Sequence, residues 1–266
     1  MTFDRFLQEV CQGLDLEWRK YRRRSSRHRV DARLRELGLE SYRDYLERIR
    51  TDAQAAALLP DLMRVTVSRF FRGQKHWLEL KEYVLPGLIA TVSGVRPLRI
   101  WSAGCCGGEE PFTLALLWLE YIQSLHPGLS VEIMATDIDE AVLERASRGI
   151  YRWETLREVP VEIRTRRFSP VNAQWRVDGE ATALVRFEKR NLLTDQPPLG
   201  MDLTLCRYLA FTYFKGERLR VSLYRLWESL RPGGVLMVGE KEVLPASALD
   251  YFEPMPGNRV FFRRIG

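Results

Sequence analysis

One stretch, Leu98-Arg-Ile-Trp-Ser-Ala-Gly-Cys-Cys-Gly-Gly-Glu-Glu-Pro-Phe-Thr-Leu-Ala-Leu116, constrains the fold more than any other part of this chain. It reads as a buried strand, a glycine-rich turn and the start of a helix. Leu98, Ile100 and Trp101 supply the apolar strand run, and Leu114, Ala115, Leu117 and Trp118 continue at helical spacing. Gly104, Gly107 and Gly108 place backbone without a Cβ where the chain bends or a ligand comes close. About twenty residues on, a second apolar run, Val131-Glu-Ile-Met-Ala-Thr136, ends at Asp137. A glycine turn after one strand and an acid after the next is how a Rossmann-like sheet holds a nucleoside, the carboxylate accepting the ribose hydroxyls.

The glycine spacing is not that of a dinucleotide site. Glu109 and Glu110 follow at once, where a pyrophosphate needs backbone N–H groups and positive potential. Two readings of these acids stand side by side. They fill the first turn of a helix, where the macrodipole favours carboxylates, or they face a cationic ligand. S-adenosylmethionine (SAM), with a sulfonium, an ammonium, a ribose and no phosphate, suits the second.

At 266 residues the chain suits one large domain or two small ones. No run approaches the roughly eighteen apolar residues of a membrane helix, and the charged start Met1-Thr-Phe-Asp-Arg-Phe-Leu lacks the apolar centre of a signal peptide. The 4 cysteines, Cys11, Cys105, Cys106 and Cys206, show no metal spacing, and no metal site is expected. A reduced, cytoplasmic protein is the expectation. The formal charge of +6 is concentrated: nine cations lie between Arg19 and Arg35 against Asp31 alone. Such a stripe is either a solvated helix face or a footprint for an acidic partner. With only Trp18 and Tyr21 interleaved, single-stranded nucleic acid is not favoured.

Residues 1 to about 87 read as helices, from the spacing of Phe3, Phe6, Leu7 and Val10 and of Leu34, Leu37, Tyr42, Tyr45, Leu46 and Ile49. Gly38 reads as a C-cap and Ser41 as the next N-cap. Pro60 is expected ahead of another short helix, and Pro86-Gly87 at a domain junction. Beyond it, strands are expected at 98–103, 131–136, 184–188, 201–206, 234–239 and 258–264, alternating with helices at 109–125, 139–148 and 216–231. Segment 152–183 breaks the alternation and reads as a helix plus a small antiparallel insert, with Asp178-Gly179 as a hairpin turn.

In order and spacing, these residues resemble the CheR-type methyltransferases, SAM-dependent enzymes that methylate glutamates of chemotaxis receptors. The resemblance spans nearly the whole chain. It rests on Arg33-Leu-x-x-Leu-Gly-Leu39 and Tyr45-Leu46, on Ser68-Arg-Phe-Phe-Arg72, and on Trp101-Ser-Ala-Gly-Cys-x-x-Gly-Glu-Glu-Pro111. Ala135-Thr-Asp-Ile-Asp139, Gly149-Ile-Tyr151, Asn191-Leu192, Cys206-Arg207 and Tyr213-Phe214 follow in the family's order.

The resemblance implies an α/β fold: a class I SAM-methyltransferase Rossmann-like sheet over residues 88–266, an all-helical N-terminal domain over 1–87, and a small β-subdomain at 164–190 that some members use to tether receptors. It implies SAM as cofactor and S-adenosylhomocysteine as product. Glu110 and Asp137 would contact the cofactor, Asn191 and Leu192 would line the adenine site, and Ser68 and Arg72 would approach its amino-acid end and the methyl. Thr66, Gly104, Arg207 and Tyr208 join the implied cofactor set, and Arg72 and Tyr213 the implied catalytic pair. The implied partner is an acidic, chemoreceptor-like helical protein met by the basic N-terminal helices, with no nucleic acid, no membrane insertion and a monomeric enzyme.

Three positions depart from the family: its Asn after Cys-Arg is Tyr208, an Asn two positions before its Thr is Thr66, and the block from Cys206 to Phe214 is one residue longer. They leave open methylation of a small molecule or another protein on the same scaffold, or a non-catalytic SAM-sensing module. The chemistry itself asks little. A glutamate carboxylate is ionised at pH 7 and needs no strong base, so none of His28, His76 and His126 is given a role. An arginine that holds the acceptor is the useful group, with Arg72 ahead of Arg69.

Overall fold

Apolar residues at helical spacing build the first of two compact units in the computed structural model, which describes residues 1–63, 65–92 and 96–266. This unit comprises Met1–Thr66 together with Ala210–Arg220. Helices run over Phe3–Gln12, Arg24–Glu36, Tyr42–Thr51 and Ala53–Met63. Phe6, Leu7, Val30, Tyr45, Leu59 and Met63 close a core between them. Gly38 ends a helix at φ +65, its N–H bonded to the Arg35 carbonyl. Ser41 and Asp44 then form a full capping box for the next helix. Pro60 lies inside Ala53–Met63 rather than ahead of a separate helix, because buried Leu59 and Met63 carry the same helix past it. The returning segment is tied down by Lys215 N–H to the Asp15 carbonyl (2.8 Å) and Lys215 Nζ to Glu17 (2.6 Å).

The second unit, Val67–Leu209 with Val221–Gly266, holds the sheets. Its strands are β1 (Leu98–Ala103), β2 (Val131–Asp137), β3 (Ile150–Tyr151), β4 (Phe168–Val171), β5 (Gln174–Val177), β6 (Val185–Lys189), β7 (Met201–Cys206), β8 (Leu230–Val238), β9 (Phe252–Pro254) and β10 (Phe261–Arg264). Seven of them form one sheet in the order β6-β2-β1-β7-β8-β10-β9. The first five are parallel, while β10 runs antiparallel to both β8 and β9. The central strands β1 and β7 are almost wholly buried, as a sheet covered on both faces requires. From β1 the order steps one way to β2 and β6 and the other way to β7 and β8. That reversal opens a crevice at the carboxyl ends of β1 and β7.

Two expected boundaries move. The stretch Gln74–Val92, one helix with a π-turn at Leu80–Val84, belongs to the sheet unit, so the division falls at 66/67 instead of 87/88. Trp77, Leu80, Leu85, Leu88 and Val92 bury their side chains in one cluster with Leu98, Ile100 and Phe112. Pro86 breaks nothing, because the π-turn before it bonds Leu85 N–H to the Leu80 carbonyl and shifts the ladder where the proline lacks a donor. The small insert is likewise not 164–190. It is the three-stranded sheet β3-β5-β4, and β6 leaves it to pair in parallel with β2. The hairpin between β4 and β5 turns at Asn172 (φ +54), while Asp178 caps the short helix Gly179–Ala183 through Ala181 N–H (2.8 Å).

Asp202 on β7 is fully buried and fixes one end of the sheet. Its carboxylate accepts from Arg96 Nη1 and Nη2 (2.8 and 2.7 Å), from Arg99 N–H (2.9 Å) and from Arg231. Burial alone would push this carboxyl up, but the Arg96 hydrogen bonds, the Arg99 N–H and the Arg231 charge outweigh it and hold it below its usual range. Asp202→Asn is therefore expected to cost about 2 kcal/mol at pH 7, since it removes the buried charge that two partly buried guanidinium groups and a backbone N–H are arranged around. A depressed carboxyl pKa stabilises the fold above about pH 4 and the effect is lost as pH falls through the folded value. Thermal unfolding should then show a gap between wild type and variant that is full at pH 7 and shrinks on acidification. Equal stability at pH 7 would contradict this.

Candidate active site at the carboxyl ends of the central strands

The turn after β1 is built by its own backbone. Gly104 has φ +71, and a Cβ there would lie 2.4 Å from Leu209 Cδ2. Gly108, at φ +86, opens the helix Glu109–Leu117, and a Cβ on it would press on Ala146, Tyr151 and Phe187 at 3.0 Å. The N–H groups of the turn point inward and are already used. Gly104 and Cys105 donate to the Thr136 carbonyl (2.8 and 2.9 Å), Cys106 to Asp137 Oδ2 (3.0 Å) and Gly108 to the Cys105 carbonyl (3.1 Å). A turn whose donors are spent this way is no cradle for phosphates. The acids around it, Glu109, Glu110 and Asp137, suit a nucleoside with a cationic tail, so the residues present fit SAM.

Asp137 ends β2 with each carboxylate oxygen accepting one backbone N–H, Oδ2 from Cys106 and Oδ1 from Asp139 (3.1 Å). A carboxylate oxygen has capacity for a second donor, so two hydroxyls can still be received. Next to it in the sheet, Asp137 pairs with Lys189 of β6, and the Arg190 N–H donates to the Asp137 carbonyl (2.9 Å). This sets Asn191 and Leu192, both half-buried, at the neighbouring strand end. Asn191 Oδ1 is held by Leu193 N–H at 2.9 Å.

On the other side of the turn, Glu110 accepts from Ser102 Oγ (2.8 Å) and from Arg207 Nη1 (3.2 Å). Arg207 is a buried guanidinium. Its Nη2 donates to the Arg72 carbonyl (2.7 Å), which also receives Trp77 Nε1 (3.1 Å), and its plane lies 4.9 Å from the Trp77 ring. The segment carrying Ser68 and Arg72 is strapped down at several further points. Ser68 hydrogen-bonds to Glu109, Phe71 N–H donates to Thr113 Oγ1 (3.1 Å), Phe70 N–H to the Thr155 carbonyl (3.1 Å) and Gly73 N–H to Glu158 (3.2 Å). Arg69 turns to Glu158 (3.1 Å) and is spent there. The Arg72 guanidinium instead lies 3.8 Å over the Tyr208 ring and donates no side-chain hydrogen bond among the described residues.

The structure thus brings together Ser68, Arg72, Gly104, Glu110, Arg207 and Tyr208 at the ends of β1 and β7, with Asp137, Asn191 and Leu192 at the ends of β2 and β6. Thr66 and Tyr213 fall in the helical unit instead. Thr66 is exposed. Tyr213 is a core residue of that unit, its ring 5.1 Å from Tyr21 and its hydroxyl accepting from Arg23 Nη2 (3.5 Å). Tyr213, which follows the one-residue extension after Cys206, is buried in this unit.

Burial sets the chemistry. It pushes Glu109 up, and it raises the Cys106 thiol to about 12, with the Glu109 and Asp137 charges adding to the effect. Cys105 moves well up for the same first reason. These thiols stay protonated near neutral pH and supply no nucleophile. Four supporting residues escaped the sequence reading. Ser102 and Glu242 are ordinary polar residues there, the Tyr151 hydroxyl donates to the Gly107 carbonyl (2.7 Å), and His76 is buried with Nδ1 against Glu79 (2.9 Å). The Gly-Ile-Tyr motif was the one available signal for Tyr151.

Comparison with known proteins agrees with this geometry. Residues 66–261 match the family described as CheR methyltransferase, SAM binding domain, and residues 1–63 match CheR methyltransferase, all-alpha domain. A chemotaxis protein methyltransferase of Listeria monocytogenes is 30% identical over 89% of this chain and 88% of its own length. A probable chemotaxis protein methyltransferase of Rhizobium etli is 33% identical over 85% of this chain and 86% of its own. The chemotaxis protein methyltransferase 2 of Pseudomonas aeruginosa is 33% identical over 80% and 76%.

Asp137→Ala is expected to remove two hydrogen bonds from ribose hydroxyls to a charged acceptor, on the order of 3 kcal/mol together, or about 100-fold in S-adenosylhomocysteine affinity by calorimetry. Unchanged affinity would move the ribose contact to another acid, Asp139 first. With helices over the crevice-forming parallel sheet and these matches across both units, the chain belongs to the CheR family of SAM-dependent methyltransferases, in a class I methyltransferase fold preceded by an all-helical domain.

Proposed function

We propose that this enzyme methylates the carboxyl groups of glutamate side chains in a chemoreceptor-like helical protein. The observation that carries the reading is the Arg72 guanidinium, stacked on Tyr208 with its hydrogen-bond donors unspent beside the cofactor turn. A planar cation with open edges is a seat for a carboxylate, which it can grip with two parallel N–H donors.

When bound, SAM supplies a methyl on a positively charged sulfur. Everything else falls to the chain's own side chains. Asp137 takes the ribose, and Asn191 with Leu192 lines the adenine side. Glu110, steadied by Ser102 and Arg207, would receive the ammonium of the cofactor's amino-acid end. Arg72 holds the acceptor carboxylate. That carboxylate is already ionised near neutral pH, so the chain needs no base, and His76 is occupied by Glu79. Joining two opposite charges is favoured by excluding water, and buried Phe70, Phe71 and Trp77 anchor the segment that carries Arg72 in the core.

The partner surface is the cationic helix face. Lys20, Arg22, Arg23 and Arg24 are exposed; Arg23 also donates to the Lys20 carbonyl and Tyr213, while half-buried Arg29 donates to the Leu62 carbonyl. The exposed cations suit the acidic helices of a receptor. Among the described residues no helix is long and apolar enough to cross a membrane.

Transfer of labelled methyl from SAM to a purified chemoreceptor cytoplasmic fragment tests the reading. Alkali-labile label on glutamate is expected; alkali-stable label, or none, would overturn it. Arg72→Ala should lower turnover by about 100-fold or more, the scale of a lost positioning contact. Its unfolding stability should change by only about 1 kcal/mol, since the side chain's described contact is one cation–π stack. Arg72→Lys should not restore turnover, because an ammonium lacks the fork. Wild-type turnover in Arg72→Ala would remove the residue from the site.

Charge reversal at Lys20, Arg22 and Arg24 should weaken methylation of the fragment and leave S-adenosylhomocysteine affinity unchanged. The wild-type rate should fall steeply as salt rises above about 0.1 M, where the screening length is near 10 Å. Salt-independent methylation and an unaffected triple variant would show that these cations meet no partner.

A further inference from the structure

Tyr208 stands in a backbone conformation that a tyrosine rarely adopts, φ +59, and the surroundings hold it there. The Glu242 carboxylate accepts from both Tyr208 N–H and Gly239 N–H through one oxygen, each at 2.7 Å. Glu242 is itself more than nine-tenths buried. The ring presses on the end of β8 so closely that a Cβ at Gly239 would lie 2.8 Å from Tyr208 Cε1. Only a glycine leaves room for the ring in that place. Above it the Arg72 guanidinium carbon sits 3.8 Å from the ring centroid, while Arg207 is 5.6 Å away.

We propose that Tyr208 is a positioning residue for the acceptor: Glu242 and Gly239 fix its ring, and the ring holds the Arg72 guanidinium flat so that its edges stay open to an incoming carboxylate. The inference rests on the carboxylate reading of the preceding section, and adds to it the device that orients the anion seat. Face-on stacking satisfies the cation through the π-cloud and consumes none of its in-plane donors. An acidic partner at the same place would neutralise Arg72 and close the seat. Arg69, three residues earlier in the chain, shows that alternative, paired with Glu158. A small residue at 208 would leave the long Arg72 side chain to sample many rotamers, and the acceptor would have to order it on binding. The effect belongs in KM for the acceptor and not in cofactor affinity.

Two variants separate this from a folding defect. Tyr208→Asn removes the ring with a residue that accepts positive φ readily, so the turn is kept. Tyr208→Phe keeps the ring and loses only the hydroxyl. The first readout is the rate at which phenylglyoxal modifies Arg72 in the S-adenosylhomocysteine complex, followed by peptide mass spectrometry with buried Arg207 as internal reference. Arg72 should react several-fold faster in Tyr208→Asn, and Tyr208→Phe should restore the slow rate. The second is the kinetics of methyl transfer to the chemoreceptor cytoplasmic fragment. Tyr208→Asn should raise its KM about tenfold, with S-adenosylhomocysteine affinity within about twofold of wild type, and Tyr208→Phe should reverse the rise. Equal labelling of Arg72 in wild type and Tyr208→Asn overturns the proposal, as does an unchanged KM. A wild type that shows slow, ring-dependent labelling but no transfer to the fragment supports the stack and refutes the choice of acceptor.

Discussion

A single buried guanidinium, that of Arg207, joins segments that lie far apart in sequence. From the end of β7 it reaches Glu110 in the first turn after the glycine loop, the carbonyl of Arg72, and the face of Trp77. A buried ion pair is poor evidence for net stability, because desolvation offsets most of the attraction. Its value here is registry. The Arg72 carbonyl can meet both Arg207 and Trp77 only when the 67–73 segment lies at one height above the sheet. Arg72 is thereby delivered to Tyr208, the residue that follows Arg207 in the chain.

The turn at Gly104–Gly108 excludes as much as it allows. By spending its N–H groups on Thr136, Cys105 and Asp137 it gives up the anion-binding property that similar turns use for phosphates. Three carboxylates, Glu109, Glu110 and Asp137, surround the turn instead. Burial pushes Glu109 and both neighbouring cysteines up, while Glu110 is held by Ser102 and Arg207 and Asp137 by two backbone N–H groups. Such surroundings suit a nucleoside that offers hydroxyls and a positive tail. The two cysteine thiols of the turn are held protonated by burial, and the transfer chemistry suits that, since the acceptor brings the electrons.

The parts of this site that were legible in the sequence are those set by local backbone. The strand–glycine–helix run, Asp137 at the end of the next strand, and the Gly38 and Ser41 caps are read within a few residues and were found where expected. From sequence, Pro86-Gly87 looks like a break and places the helix at Gln74–Val92 in the helical unit; only the π-turn before the proline shows how the helix runs through it into the sheet unit. Asp178-Gly179 looks like a hairpin turn yet caps a helix, a choice made by how β5 pairs and invisible in the dipeptide. Tyr208, Glu242 and Gly239 were legible only as a departure, an acid and a glycine. Their meaning comes from a contact made across two strand ends. Tyr213 shows how little a motif says of packing: its ring lies 5.1 Å from Tyr21, a contact no local pattern announces.

The most direct test of the whole arrangement is a crystal structure of the protein with S-adenosylhomocysteine, measuring where the ribose and the sulfur lie. The account predicts both ribose hydroxyls within hydrogen-bond distance of the Asp137 carboxylate and the sulfur facing the Arg72–Tyr208 stack, with the glycine turn unchanged. A ribose bound away from Asp137, or a sulfur directed away from Arg72, would contradict it.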